Sequence, residues 1–217
     1  MEKIPFKERV KNIAIDCAVK YTNTFCNYEY LMISNAFAEK YVKIHADKDN
    51  YMHLLGINSN LSASDFYNKC IKGTLTTNDF DFKKKNQSEK STKGSVREKI
   101  VALPLFCNMF SAFDIECQQN FSKGKVSCSF ASASNKYTIG FVATGRPMTL
   151  MKNNQLDKNK SKPVIAVQEK KKALTLSTTL SMETLLVTKT LCQKSTKSDH
   201  LHYAQHHHIT NSPQQNT

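Results

Sequence analysis

Two histidines stand in the body of the chain, His45 and His53; the other five (200, 202, 206, 207 and 208) crowd into the C-terminal tail. His53 lies in "DNYMHLLGI", residues 49–57, between Met52 and a Leu-Leu pair that a glycine ends. An imidazole titrates near pH ~6.5, so it can take up or release a proton in neutral solution. The cations that would complement it are Arg97 and Lys99 in "VREKI", Arg146 beside Pro147, and the run Lys83, Lys84 and Lys85. Arginine can grip a phosphate with a two-pronged fork, and lysine offers a point charge. Hydroxyls at Tyr67, Thr138 and Thr149 complete the set. An imidazole to move protons, with cations and hydroxyls to hold developing negative charge, suits reactions at a phosphate ester. Each residue also has a plainer reading. His53 could be a titratable residue inside the core. Arg97 and Lys99 could be solvated helix charges, Tyr67 a packing ring, and Thr149 an ordinary sheet residue. The lysine run could be a solvated loop.

The charge balance favours a polyanionic partner. The 217 residues carry 31 Lys and Arg against 18 Asp and Glu, a formal net charge of +13. Nucleic acid is the first candidate and an anionic membrane surface the second. Lysine loops of this density can touch backbone phosphates without regard to sequence. The aspartates are scattered, and no acidic cluster for two-metal chemistry is evident, so neither a metal nor another cofactor is expected. Seven cysteines, at 17, 26, 70, 107, 117, 128 and 192, include no C-x-x-C pair, and they read as free thiols of a reducing compartment rather than a zinc site. No stretch approaches the ~18 consecutive apolar residues of a spanning helix. The charged start "MEKIPFKERVKNIAIDC" lacks the apolar heart of a signal peptide. A soluble, cytoplasmic protein without membrane association is expected.

The elements that must hold these residues follow from periodicity. Residues 6–24 carry Val10, Ile13, Ala14, Cys17 and Ala18 at helical spacing. "YEYLMIS" and "AEKYVKIHA" read as a hairpin or two successive strands. Residues 49–55 read as a turn or short helical segment closed by Gly56. Residues 61–73 read as a short helix capped by Ser62 and stopped by Gly73. "VREKIVALPLFCNMF" reads as another helix, kinked at Pro104. Residues 83–95 and 156–162 are polar, basic linkers. "FDIECQQN", "KVSCSFASA", "KYTIGFVAT", "PMTLMK" and "KPVIAVQEK" then read as strands of an antiparallel sheet. Helices first and strands second imply an α+β domain over residues 1–175, its N-terminal helices packed on one face of the C-terminal sheet. Residues 176–217 read as a weakly structured to disordered extension. The His-rich tract there offers metals no fixed geometry.

The ordered set Tyr51-x-His53-Leu54-x-Gly56, then Phe66-Tyr67, Gly140-Phe141 and Pro147-x-Thr149-Leu150 resembles a group of phage-associated nuclease-like domains. The group is the fourth phage-type branch of the barnase, EndoU, colicin and RelE superfold, and the likeness spans residues 5–172. Two positions depart from its pattern. His45 stands where an apolar strand residue is expected, and Thr149 stands in for a serine. The resemblance implies a metal-independent ribonuclease, a toxin or effector of a phage or mobile element, whose antiparallel sheet faces RNA. Its catalytic residues would be His53, Arg97 and Thr149. Tyr67, Lys99, Arg146 and Lys83–Lys85 would bind substrate. RNA, transfer RNA included, would be the partner, and a cognate immunity protein would accompany a toxin. Metal-free cleavage would set the ribose 2′-hydroxyl against the adjacent phosphate. A rival on the same fold is a catalytically inactive nucleic-acid-binding or counter-defence module, which needs only the basic surface.

Overall fold

Helix α1 (Phe6–Tyr21) buries Val10, Ala14, Cys17, Ala18 and Tyr21, spaced so that one stripe of the helix enters the core. The structure is a computed structural model that describes residues 4–111, 114–172 and 187–190. After α1 the chain widens into a π turn, Thr22–Cys26, where the Asn27 amide reaches back to the Thr22 carbonyl at 3.1 Å. That turn sends Phe25 inward to stack on Phe106, ring centroids 4.3 Å apart.

The expected hairpin forms: β1 (Tyr28–Ile33) pairs antiparallel with β2 (Tyr41–His45). The short helix α2 (Asn50–Leu55) follows, then β3 (Asn58–Ser59) and α3 (Ala63–Ile71). Ser62 caps α3 as its sequence suggests, its Oγ accepting the Asp65 amide at 3.0 Å. Strand β4 (Phe80–Asp81) pairs with β3.

Helix α4 (Glu89–Phe106) begins earlier than its apolar pattern implies and absorbs the second half of the expected 83–95 linker. Ser88 caps it by accepting the Ser91 amide at 3.2 Å. Glu89 pairs with Lys93 one turn on, at 2.6 Å. A serine cap with an acid in the first turn favours a helix start and outweighs the polar composition and Gly94. Pro104 lies in the last turn, two residues before the helix ends.

Five strands, β5 (Glu116–Lys123), β6 (Val126–Ala133), β7 (Tyr137–Phe141), β8 (Pro147–Lys152) and β9 (Lys162–Pro163), form an antiparallel sheet in the order β8-β7-β6-β5-β9. The last expected strand, "KPVIAVQEK", divides. Its start is β9, and its end is β10 (Ala166–Lys171), which leaves that sheet and pairs with β1. A second sheet results, in the order β11-β10-β1-β2, with β11 at Val187–Thr190. The early hairpin therefore belongs with the end of the chain. Two bonds stitch the crossover: the Val164 amide to the Ile115 carbonyl at 2.9 Å, and the Ile165 amide to the Ile33 carbonyl at 2.8 Å. On the far side the His45 amide donates to the Gly145 carbonyl at 3.3 Å. Gly145 has φ +87°, and a Cβ there would strike the Lys43 carbonyl, so only glycine fits.

The main core unites the helices with one face of the five-stranded sheet through Tyr51, Leu54, Leu103, Phe106, Ile139, Phe141 and Leu150. Phe121, Cys128 and Ala131 form a smaller buried cluster, with Val126, Met151 and Leu156 against it. Cys17, Cys26, Cys70, Cys107, Cys117 and Cys128 are free. Strand β11 lies beyond the boundary expected at residue 175, and the rest of that extension, with the His-rich tract, lies outside the described residues. Among the described residues no helix is long and apolar enough to cross a membrane.

Candidate active site

The short helix α2 carries His53, and the helix is held at both ends. Asn50, Tyr51, Leu54 and Leu55 are buried while His53 is exposed. The Tyr51 hydroxyl donates to the Ala14 carbonyl at 2.6 Å, which pins α2 to α1. At its N-terminal end one guanidinium nitrogen of Arg146 donates to both Asp49 carboxylate oxygens at 2.8 and 2.9 Å. Arg146 Nε also donates to Asn50 Oδ1 at 3.4 Å, and the same oxygen accepts the Asp47 amide at 3.0 Å. Lys172 Nζ donates to the Ala46 carbonyl at 3.0 Å. These polar bonds fix a helix too short to persist alone.

At the other end Gly56, at φ +70°, closes the helix, its amide donating to the His53 carbonyl at 3.1 Å. The aliphatic stem of Lys99 lies over Gly56. A Cβ on Gly56 would sit 2.7 Å from Lys99 Cδ and 2.8 Å from its Cε. Lys99 Nζ donates to the Leu150 carbonyl on β8 at 3.0 Å. Among the described residues no carboxylate forms an ion pair with it. Burial, with Lys84 nearby, lowers the pKa of its amine to about 8. The amine therefore changes charge nearer neutrality than an ordinary lysine does, on a side chain that packs over the end of the helix bearing the exposed imidazole.

The remaining candidates are spread across the molecule. Arg97 and Lys99 lie in mid-helix rather than near the start of α4. Two residues apart, they are separated by about 200° around the axis. Arg97 accordingly faces α1, its guanidinium 4.7 Å from the Phe6 ring centroid. Thr149 is half-buried on β8 and packs its methyl near Gly140, opposite in register. Thr138 is buried and tied to the loop after β8, donating to the Asn153 carbonyl and accepting the Gln155 amide, both at 2.8 Å. Tyr67 is 6% exposed. Its hydroxyl bonds Thr22 Oγ1 and lies 3.8 Å from Cys26 Sγ, and burial pushes its pKa up. Lys83, Lys84 and Lys85 are exposed, in the loop before α4. Partial desolvation lowers the pKa of Lys84. Arg146 has its guanidinium turned to Asp49, which leaves it a fastener of α2 rather than a free fork.

Sequence reasoning missed the Asp49–Arg146 clamp and the passage of Lys99 over Gly56. The first joins residues 97 positions apart and leaves no local trace. The second had a signal, a glycine ending the His53 segment, but its partner belongs to a different helix, α4. No group of three or more His, Cys, Asp or Glu side chains suited to a metal ion occurs among the described residues.

No curated protein and no solved structure matches the chain. A family model does, and it spans residues 14–187, from α1 through the start of β11. That match covers most of the chain, and the α+β fold accompanies it: the chain belongs to the phage-Barnase-EndoU-ColicinE5/D-RelE like nuclease 4 family.

Proposed function

We propose that this nuclease-family protein is a metal-independent endoribonuclease, a toxin or effector of a phage or mobile element that acts in the cytoplasm. The observation that carries the reading is the exposed His53 on a helix whose neighbouring side chains, Leu54 and Leu55, are fully buried. Rigid support beneath an accessible imidazole is what a proton-transfer group requires. In this reading His53 serves the proton transfers of 2′-hydroxyl attack. His53 takes the proton of the 2′-hydroxyl as that oxygen bonds to phosphorus, the bond to the 5′-oxygen breaks, and the departing oxygen takes a proton from water. A 2′,3′-cyclic phosphate and a 5′-hydroxyl end result. Lys99, protonated below about pH 8, offers positive charge to the crowded phosphate oxygens. RNA, transfer RNA among the candidates, is the substrate, and an immunity protein is the expected partner of a toxin.

The dispersal of the arginines favours a second reading. Arg146 is held by Asp49, and Arg97 rests on Phe6, so each is engaged away from His53. An inactive nucleic-acid-binding or counter-defence module needs only the basic surface. Purified protein incubated with total RNA and with transfer RNA, with and without chelator, separates the two. The ribonuclease reading expects cleavage that survives chelation and leaves cyclic phosphate ends. Tight binding with no cleavage would establish the module instead, and cleavage abolished by chelation would end the metal-free mechanism.

A further inference from the structure

The side of α4 turned away from Lys99 carries a groove of about 570 Å³ shared with α1, within the range of pockets that hold small organic ligands. Its floor is apolar, made by Ile13, Ile100 and Val101, with Val101 51% exposed. Asn12 and Glu98 add one amide and one carboxylate, and Arg9, Arg97 and Lys152 bring three cations. Both arginines rest on the same ring. Their guanidinium carbons lie 5.5 and 4.7 Å from the Phe6 centroid, and Phe6 is itself stacked on buried Phe82 at 5.2 Å. Cations fixed on an aromatic platform lose less freedom when they engage an anion.

A ligand that complements this lining has a flat apolar body, edges that form hydrogen bonds, and more than one negative charge. A fatty acid would leave Asn12 and Glu98 unanswered, and inorganic phosphate would leave the floor bare. We propose that the groove captures one unstacked nucleotide of a single-stranded RNA, its base on the Ile13–Ile100–Val101 floor and its flanking phosphates on Arg9, Arg97 and Lys152. The proposal rests on the ribonuclease reading and adds to it a substrate-holding site on the opposite side of α4 from Lys99. Base packing and backbone charge together tolerate any base sequence.

The chain has no tryptophan, so Val101→Trp places a single reporter on the groove floor. Titration with a 2′-O-methyl RNA oligonucleotide, which cannot be cleaved by 2′-attack, should quench that tryptophan along the binding curve of the labelled oligonucleotide. Arg9→Ala with Lys152→Ala should weaken binding, and the log–log salt slope should become shallower by roughly 0.7 for each cation removed. In cleavage assays the pair should raise KM and leave kcat unchanged. Binding without quenching would overturn the groove and leave the ribonuclease reading intact. Equal quenching by polyglutamate would show a surface that answers to charge alone and would also overturn the proposal. Wild-type protein that neither binds nor cleaves RNA would remove the ribonuclease reading and this site with it.

Discussion

The two sides of α4 treat a cation in opposite ways. Toward α2 and β8, Lys99 is half-buried, laid over Gly56 and bonded to a backbone carbonyl. Its amine loses its proton more readily, at about pH 8. Toward α1, Arg97 stays exposed and rests on Phe6. One residue is made titratable, and the other is made a fixed charge. They stand two steps apart along the sequence, so helical geometry rather than composition assigns these roles. The difference teaches how surroundings set a cation's behaviour: burial brings a lysine's loss of its proton nearer neutrality, while an exposed guanidinium seated on a ring keeps its charge.

The largest effects should come from the helix on the Lys99 side. Leu54 is fully buried, so Leu54→Ala should cost ~2–5 kcal/mol of stability, read from chemical denaturation. His53→Ala should leave the melt nearly unchanged and reduce any RNA cleavage by ~100-fold or more, the scale of losing a general acid or base. An early melt for His53→Ala, with normal cleavage by its folded fraction, would make His53 a structural residue and empty the Lys99 side of its chemistry.

A smaller pair of effects tests the contrast itself, because its two members should differ in sign. Lys99 has a folded-state pKa of about 8 against an ordinary 10.5. Between those values the unfolded chain binds more protons, so this residue's contribution to stability rises with pH across that window. Its penalty is fully present below pH 8. Lys99→Met keeps the aliphatic packing and removes the charge. It should stabilise the protein by ~1–2 kcal/mol at pH ~7, allowing for water reaching a half-buried amine, and the gain should vanish toward pH 10.5. Comparing the two proteins at each pH cancels the titration of the buried tyrosines and cysteines. Arg97→Met should instead cost ~0.5–1 kcal/mol, the worth of an exposed cation–π contact, with no pH dependence over the same range. Equal, pH-independent losses from both would erase the distinction between the two sides.

The smallest effect on stability concerns the loop before α4. Lys83, Lys84 and Lys85 are exposed, so neutralising all three to glutamine should shift stability by no more than ~0.5 kcal/mol. RNA affinity should nevertheless fall, with a shallower salt dependence. An unchanged affinity would take the loop out of the interface and leave the α1–α4 groove as the charged surface that meets RNA.

Local signals carry much of the architecture. Ser62 and Gly73 bracket α3, the hydrophobic stripe of α1 is plain, and Gly56 marks the end of the His53 segment, because caps and periodicity act over a few residues. The start of α4 is concealed, since a basic, polar stretch hides a serine cap that only its Ser91 amide bond reveals. Among the candidates, the residue types are legible and their grouping is not. Exposure of His53, engagement of Arg146 by Asp49 and burial of the Tyr67 hydroxyl each depend on neighbours far away along the chain. The sequence by itself determined the charge, the helix-and-strand inventory and the family pattern, because these depend on composition and short-range spacing. Tertiary structure alone decided that "KPVIAVQEK" would split between two sheets and that Lys99 would lie desolvated over Gly56. Both outcomes arise from long-range hydrogen bonds and burial, and neither leaves a period or a cap in the chain.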